Sequence, residues 1–364
     1  MTSETVAPNV FNTPPATATD PKKLGQLSAE QVAQFFDEGY LQIDNFFNAQ
    51  SDLEPCLEDI ETLVDGIITK KCSMVHTGSP TNHELFKDEN VFHRLTKFEQ
   101  IYPGTAVSVH KTDKMPKALQ SLFVHEKLLN VMEQLLGPDV TGFPVWNLRP
   151  KLPSAEDFIV PWHQDSAYFD ANAEKSLVIT AWIPFLDTNE SNGTLQIVKK
   201  AHRYGKLAQH KGLWKDTWYI YTDTQDLVDA FGPNIEDNIV TCRVPYGSVL
   251  LFSNMTPHRS LSNSSNQIRW SVDLRYTSNT STNYFGTAKL GCLLRQGSNP
   301  KLKPDLESFF QIDRTKTKFE LCGVDYDRNY AFSPYFVGPY MLRWPIVHQN
   351  AHTSVIRVPL QIQT

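Results

Sequence analysis

No dense block of lysine and arginine interrupts this 364-residue chain, whose formal net charge is −6 with a pI near 6.0. Nucleic acid and anionic membrane surfaces are therefore not expected partners. No apolar run approaches the roughly 18 residues needed to span a bilayer. The N-terminus lacks the basic stretch followed by an apolar run that marks a secretory signal, so the expected home is cytoplasmic. Cysteine is scarce and odd in number, with Cys56, Cys72, Cys242, Cys292 and Cys322 scattered and never closely paired. That excludes a disulfide framework and Cys-x-x-Cys metal sites, and leaves buried, reduced thiols. What is present is a 40% hydrophobic share, enough for a substantial core, which points to a protein with a small-molecule partner.

Residues 1 to about 23 are rich in Thr, Pro, Ala and Asn without apolar periodicity, and are expected to form a disordered leader. Ser28 with Gln31 fits a capping box, with Val32, Phe35 and Phe36 on one helical face and Gly39 as the stop. Tyr40–Ile43 alternates like a strand. Ser51 with Glu54 suggests a second capping box, opening a helix with apolar residues from Leu57 to Ile68. A third helix is expected from about His125 to a terminating Gly137. His76, His83, His93 and His110 fall in a stretch without ligand-like spacing.

From about 140 to 277 the texture is β: 145–152, 177–186, 194–198, 239–244, 248–252 and 268–276. Short strands with Gly, Pro and Asn punctuation argue for a sandwich or barrel, giving a mainly β protein with flanking helices. Residues 206–238 form an insertion too long for a hairpin turn, with Trp214, Trp218, Tyr219 and Tyr221, which either covers a site or packs its aromatics onto the barrel. The region beyond 300 reads as an irregular wrap, with 346–364 a C-terminal tail.

The chemistry centres on His163-Gln164-Asp165. On an extended backbone, side chains at i and i+2 leave one face, so an imidazole and a carboxylate would meet there. Flanking Trp162 and Tyr168 argue against a wet edge, and buried polar groups need partners. His258, beyond the apolar run 248–252, is the candidate third ligand of a 2-His-1-carboxylate set, the arrangement that leaves open positions on non-haem Fe(II). Residues 269–276 alternate strictly. Arg269, Ser271, Asp273 and Arg275 share one face, and Trp270, Val272, Leu274 and Tyr276 the other. An arginine in a cavity suits bidentate capture of a carboxylate, with Ser271 as a helper, whereas Asp273 and Arg275 read best as an internal ion pair. Asn147, Arg149 and Lys151 form a second polar row, either basic lining or a solvated face.

The ordered set of Lys151, Trp162-His163-Gln164-Asp165, Thr180-Ala181-Trp182, Asn192-Gly193-Thr194-Leu195, Ala201-His202-Arg203, Pro257-His258 and 269–276 resembles the phytanoyl-CoA dioxygenase family. The resemblance runs from about residue 28 to 276. It implies a double-stranded β-helix (jelly-roll, cupin-like) within a single domain over 24–345. It also implies an enzyme using Fe(II), 2-oxoglutarate and O2 to oxidise a C–H bond, by hydroxylation, desaturation or cyclisation. By the same resemblance His163, Asp165 and His258 match the iron ligands. Arg269 with Ser271 matches the anchor of the distal 2-oxoglutarate carboxylate, and Asn147, Lys151, Thr180 and Trp182 fall where the family lines its cavity. Asn192-Gly193 matches a structural turn. Lys199-Lys200-Ala201-His202 departs from the usual Pro-Gly-Ser-His. Substrate contacts are expected from Arg149, Trp162, Tyr168, Trp214 and Arg275, suiting a carboxylated, amino-acid-like or other secondary metabolite. The family name suggests an acyl-CoA instead, but no basic, adenine-binding cluster accompanies it. A cupin-like binding protein without turnover is the alternative from another class.

Overall fold

The structure, a computed structural model, describes residues 6–16, 22–75, 89–110, 112, 114–143, 145–169, 175–211, 214–216, 219–278 and 291–311. The expected tail 346–364, Cys322 and Trp218 lie outside them, as do His76 and His83.

Helices come first. α1 (Ala29–Glu38) opens with the reciprocal Ser28–Gln31 capping box and stops at Gly39, whose φ of 84° is left-handed. β1 (Tyr40–Ile43) follows, then α2 (Glu54–Val75). The start of α2 differs from the expected Ser51–Glu54 box. A π-helical turn, Ala49–Leu53, precedes it and is capped by Asn48, whose Oδ1 accepts from the Gln50 and Ser51 amides. Ser51 is drawn off to Asp52 Oδ1 at 2.7 Å. α3 (Arg94–Ile101), α4 (Thr105–His110), α5 (Lys117–Phe123) and α6 (Glu126–Leu136) complete the helical part, with Gly137 ending α6 at φ 99°.

The β part comprises β2 (Val140–Gly142), β3 (Asn147–Lys151), β4 (Val178–Pro184), β5 (Leu195–Val198), then α7 (Thr224–Phe231), β6 (Ile239–Cys242), β7 (Val249–Ser253), β8 (His258–Ser260), β9 (Arg269–Thr277) and β10 (Cys292–Arg295). α8 (Leu306–Gln311) is the last described element. A larger antiparallel sheet runs β1-β7-β4-β9-β2-β10, with β3 also on β9, and a smaller one runs β6-β5-β8. Two antiparallel sheets enclosing a polar interior, with helices on the outer face of the larger, form the jelly-roll arrangement. Three short strands, β2, β8 and β10, fall outside the segments expected to be β from sequence. The wrap expected beyond 300 is regular through α8, where Phe309 stacks on Phe123 at 5.5 Å.

β9 is the spine. All nine of its residues are buried. Its apolar row faces the helices: Tyr276 stacks on Phe123 at 5.1 Å and donates to Phe123 O, while Trp270 Nε1 donates to Val91 O. Its polar row faces the interior between the sheets. Register then fixes its neighbours, with Asn147, Arg149 and Lys151 opposite Asp273, Ser271 and Arg269 on one flank and Thr180 and Trp182 opposite Arg275 and Asp273 on the other. Directly paired residues share a face, so this pairing alone gathers most of the candidate residues.

Two expectations about irregular segments change. Within the leader, residues 6–16 are docked: Phe11 is buried in the main core, and Asn9 and Asn12 donate to Arg203 O. At the departure from Pro-Gly-Ser-His, Lys200 adopts φ 70°, so the turn keeps a left-handed residue with lysine where glycine is usual. His202 follows in a short 3-10 turn. It is buried, donates Nε2 to Phe36 O at 3.0 Å, and has no partner for Nδ1. Burial, opposed by that hydrogen bond, pushes its pKa down to about 4.

Candidate metal and cosubstrate site

His163 and His258 are partners in an isolated antiparallel bridge, each amide donating to the other's carbonyl at 3.0 and 2.9 Å. Residues so opposed project to one side, and the two rings lie 4.1 Å apart. The segment is not the strand that His-x-Asp alternation suggests. Gln164 is extended, but Asp165 begins a 3-10 turn, Asp165–Tyr168. One extended residue suffices for the carboxylate to converge on the rings. His258, beyond the apolar run 248–252, begins β8.

Each imidazole offers one nitrogen inward. His163 Nδ1 lies 2.9 Å from Pro161 O and His258 Nδ1 lies 3.0 Å from Thr256 O. A carbonyl only accepts, so both Nδ1 atoms carry the proton and both Nε2 lone pairs remain for a ligand. They face Asp165 Oδ1 at 3.6 and 4.0 Å, and one donor atom from each residue lies within 4.8 Å of the others. Burial, and then the neighbouring His163, lowers the pKa of His258 to about 3, keeping it neutral. Burial alone would raise the pKa of Asp165, yet the Arg275 guanidinium beside it holds it well below the usual carboxylate range. Two neutral imidazoles and one carboxylate fit Fe(II).

Gln164, between the ligands, stitches the site to the insertion. Its side chain donates to Lys206 O and Met255 O and accepts from the Ala208 amide, while its own amide donates to His210 Nε2 at 3.1 Å. The expected insertion 206–238 is thus tied down at its root, and a bridge between Lys211 and Tyr221 closes its neck. Its continuation forms α7 and a 3-10 turn, Glu236–Asn238.

Beside the histidines lies a cavity of about 560 Å³, including its open mouth, lined by Trp182, Arg269, Lys151, Arg149, Asp273 and Tyr219 among others. At one end Lys151 and Arg269 are register partners, both buried, with no carboxylate at ion-pairing distance among the described residues. Arg269 donates to Ser271 Oγ at 2.6 Å and to Gly193 O at 3.1 Å, lies over the Trp182 ring, and keeps a buried Nε with no partner. Lys151 Nζ donates to Phe158 O and Ser260 Oγ. Burial first, and a neighbouring arginine second, push the pKa of Arg269 down to about 9 and that of Lys151 well below the lysine range. Gly193 is needed here. Its φ is 81°, and a Cβ would come within 2.5 Å of Lys151 Cε.

Three buried polar atoms without partners, Arg269 Nε, Trp182 Nε1 and Asp273 Oδ1, all belong to residues lining this cavity. Two are donors and one is an acceptor, a pattern that a ligand with a carboxylate and a polar hydrogen would complete.

Of the residues expected to touch substrate, only Arg149 lines the cavity. Trp162 packs with Val198, Ala201 and Leu227, and the Arg259 guanidinium sits 4.7 Å over its ring. The Tyr168 hydroxyl exchanges hydrogen bonds with Ile220, and Trp214 packs against Val107 and Tyr219. Arg275 is taken up by Asp165 and lies off the cavity wall. Aromatic and basic character suggested these four, but burial against protein uses it up. Cavity residues not anticipated include Ser260, His110 and Arg259, while Tyr219 comes from the insertion expected either to cover a site or to pack. Ser260 was legible as i+2 from His258 on one strand face, whereas His110 arrives from a helix that no local pattern connects to β3.

The family model for phytanoyl-CoA dioxygenase (PhyH) matches residues 35–271, more than half of the chain. A probable alpha-ketoglutarate-dependent hypophosphite dioxygenase of Stutzerimonas stutzeri is 24% identical over 232 residues, 64% of this chain and 72% of that protein. A 1-deoxypentalenic acid 11-beta-hydroxylase of Streptomyces arenae is 25% identical over 248 residues, 63% of this chain and 85% of that protein. Among solved structures, the non-heme monooxygenase ThoJ aligns with a TM-score of 0.49 at 17% identity, covering 73% of this chain and 84% of that one. The carbocyclase SnoK from nogalamycin biosynthesis aligns at 0.45 and 19%, covering 72% and 89%. With the His-Asp-His cluster and the jelly roll in place, the family match completes the assignment: the chain belongs to the phytanoyl-CoA dioxygenase family and is a Fe(II)- and 2-oxoglutarate-dependent dioxygenase acting on a small molecule.

Proposed function

We propose that His163, Asp165 and His258 hold the iron, that Arg269, Ser271 and Lys151 receive the distal carboxylate of 2-oxoglutarate, and that the substrate is a small organic acid bearing a polar hydrogen. The observation that carries this is the buried Lys151–Arg269 pair without a counter-ion. A lysine and an arginine side by side in a low-dielectric interior can both be charged only at a cost until an anion arrives, which is why the Lys151 pKa is depressed. Arg269 supplies a fork of donors, and Trp182 Nε1 stands beside it with its hydrogen unused. When bound, iron and 2-oxoglutarate together supply the oxidising chemistry, in which O2 is consumed, the cosubstrate leaves as succinate and CO2, and a substrate C–H bond is oxidised. The protein's part is to position the partners and exclude water.

Charge supports an acidic substrate. Arg149, Lys151, Arg259 and Arg269 line the cavity against one carboxylate, Asp273. A single distal carboxylate does not offset that excess, so a second anion is favoured, and it would share Arg149 with Asp273, which already accepts from Arg149 Nε. Asp273 Oδ1, buried and unpartnered, would accept from a hydroxyl or ammonium of the same molecule. The names of both curated relatives point to acids or their anions, hypophosphite and 1-deoxypentalenic acid. Four buried free thiols, Cys56, Cys72, Cys242 and Cys292, suit a reducing cytoplasmic setting. Among the described residues no helix is long and apolar enough to cross a membrane.

Anaerobic addition of Fe(II) and 2-oxoglutarate should give a weak visible charge-transfer band that is absent in His163→Ala. Hydroxy and amino acids screened under air should stimulate succinate release, with product mass distinguishing a gained oxygen from two lost hydrogens. No band and no succinate would overturn the reading.

A further inference from the structure

Asp165 has two oxygens, and the structure treats them differently. Oδ1 faces the two imidazole Nε2 atoms. Oδ2 receives two hydrogen bonds, from Thr180 Oγ1 at 2.9 Å and from Arg275 Nε at 3.0 Å, and an ion-pair contact from Arg275 Nη2 at 3.0 Å. A carboxylate oxygen has about two lone-pair sites, so Oδ2 is saturated. Arg275 is itself fully engaged. Nη2 also lies 3.6 Å from Asp273 Oδ2, and Nη1 donates to Val145 O at 3.3 Å. With its amide oriented to face the guanidinium, Asn147 accepts from Nη1 at 3.0 Å while donating to Trp146 O. Asp273 is braced in turn by Arg149 Nε at 2.6 Å. All of Asp165, Thr180, Asp273 and Arg275 are at most 3% exposed.

We propose that Arg275, with Thr180, is a positioning residue that presents Asp165 to the metal through Oδ1 alone. It follows that Arg275 does not contact substrate. A carboxylate free to engage with both oxygens would take one more place around the metal. Tying Oδ2 into two hydrogen bonds and an ion pair keeps that place open for cosubstrate or O2. The register supports this: Thr180 and Arg275 are direct partners on β4 and β9, so both donors reach the same oxygen from rigid strands. Asn147 and Thr180, expected from the family resemblance to line the cavity, instead serve this clamp.

The inference rests on the metal reading above, and Co(II) or Mn(II) titration of the purified full-length protein separates the two. Wild type should bind Co(II) with a visible spectrum that changes when 2-oxoglutarate is added. Thr180→Val, nearly isosteric, should keep the apo melting temperature within a few degrees, weaken Co(II) binding about tenfold and alter the Co(II) spectrum. Arg275→Leu should weaken binding by on the order of 100-fold, with Arg275→Lys between wild type and Leu. Should Arg275→Leu fail to fold, Thr180→Val and Arg275→Lys carry the test. Wild-type affinity and an unchanged Co(II) spectrum in both would overturn the positioning role while leaving the metal site intact. Failure of wild type itself to bind Co(II) would overturn the metal reading and this inference with it.

Discussion

The two ends of the polar row on β9 are built on opposite principles. At one end Arg275, Asp273, Asp165 and Arg149 alternate in sign and engage one another. At the other, Arg269 and Lys151 are neighbours of like sign with no carboxylate at ion-pairing distance among the described residues. Apart from the partly exposed Arg149, both ends are buried, so the difference is not chiefly one of solvent. The first end is balanced in charge without a ligand and fixes geometry; the second is unbalanced and sets up an electrostatic demand that an anion meets. A site assembled this way can be rigid where a metal needs fixed donors and still draw in a cosubstrate from solution.

The largest expected effect breaks the unbalanced end. Arg269→Leu removes the fork, and losing a buried charge partner costs roughly 2–5 kcal/mol. The KM for 2-oxoglutarate should rise on the order of several hundredfold, read from succinate formation, with Co(II) affinity unchanged. Equal losses of both would show that the two ends are not separable.

Acid sensitivity tests whether fold stability resides at either end, and we expect much of it elsewhere. His202 has a folded pKa of about 4 against an ordinary 6.5. Between these values the unfolded chain binds the extra proton, so stability is full above 6.5 and falls as pH drops toward 4, by roughly 3 kcal/mol in all. Chemical denaturation of wild type and His202→Phe between pH 7 and 4 should show a shallower loss in the variant. Parallel curves would place the acid sensitivity in other groups.

A smaller effect sharpens the comparison through Lys151, whose pKa burial and Arg269 hold below the lysine range. An arriving carboxylate favours the charged amine, so binding takes up a proton and the KM for 2-oxoglutarate should rise with pH through the depressed pKa. Lys151→Met should raise that KM about tenfold, as expected for one lost charge-assisted hydrogen bond, and flatten its pH dependence. A slope retained in the variant would assign the titration to another group.

How much of this could be read from sequence depended on whether a residue's role is local. Strict alternation over 269–276 put Arg269, Ser271, Asp273 and Arg275 on one face, and the structure keeps them there. The internal ion pair read for Asp273 and Arg275 is present, extended to Arg149 and Asp165. His163, Asp165 and His258 were legible as a set, although the backbone between them is a bridge followed by a 3-10 turn. Partner choice was not legible. Trp162, Tyr168, Trp214 and Arg275 have the chemistry of substrate contacts but spend it on protein, which only the packing of distant segments decides. Gln164 was passed over as the residue between two ligands, since nothing local shows that Lys206, Ala208, His210 and Met255 converge on it.

The neck at Lys211 and Tyr221 divides the labour of change. Upstream of it, Gln164 and His210 bind the chain to the ligand segment, and a substitution there disturbs the metal donors. Between its two ends lies Tyr219, which lines the cavity and packs with Phe158 and Val160. Side chains can therefore be exchanged within the neck, in a laboratory or in a lineage, to reshape what the cavity admits, so long as the Ile220 main chain keeps its hydrogen bonds to the Tyr168 hydroxyl and so to the ligand segment.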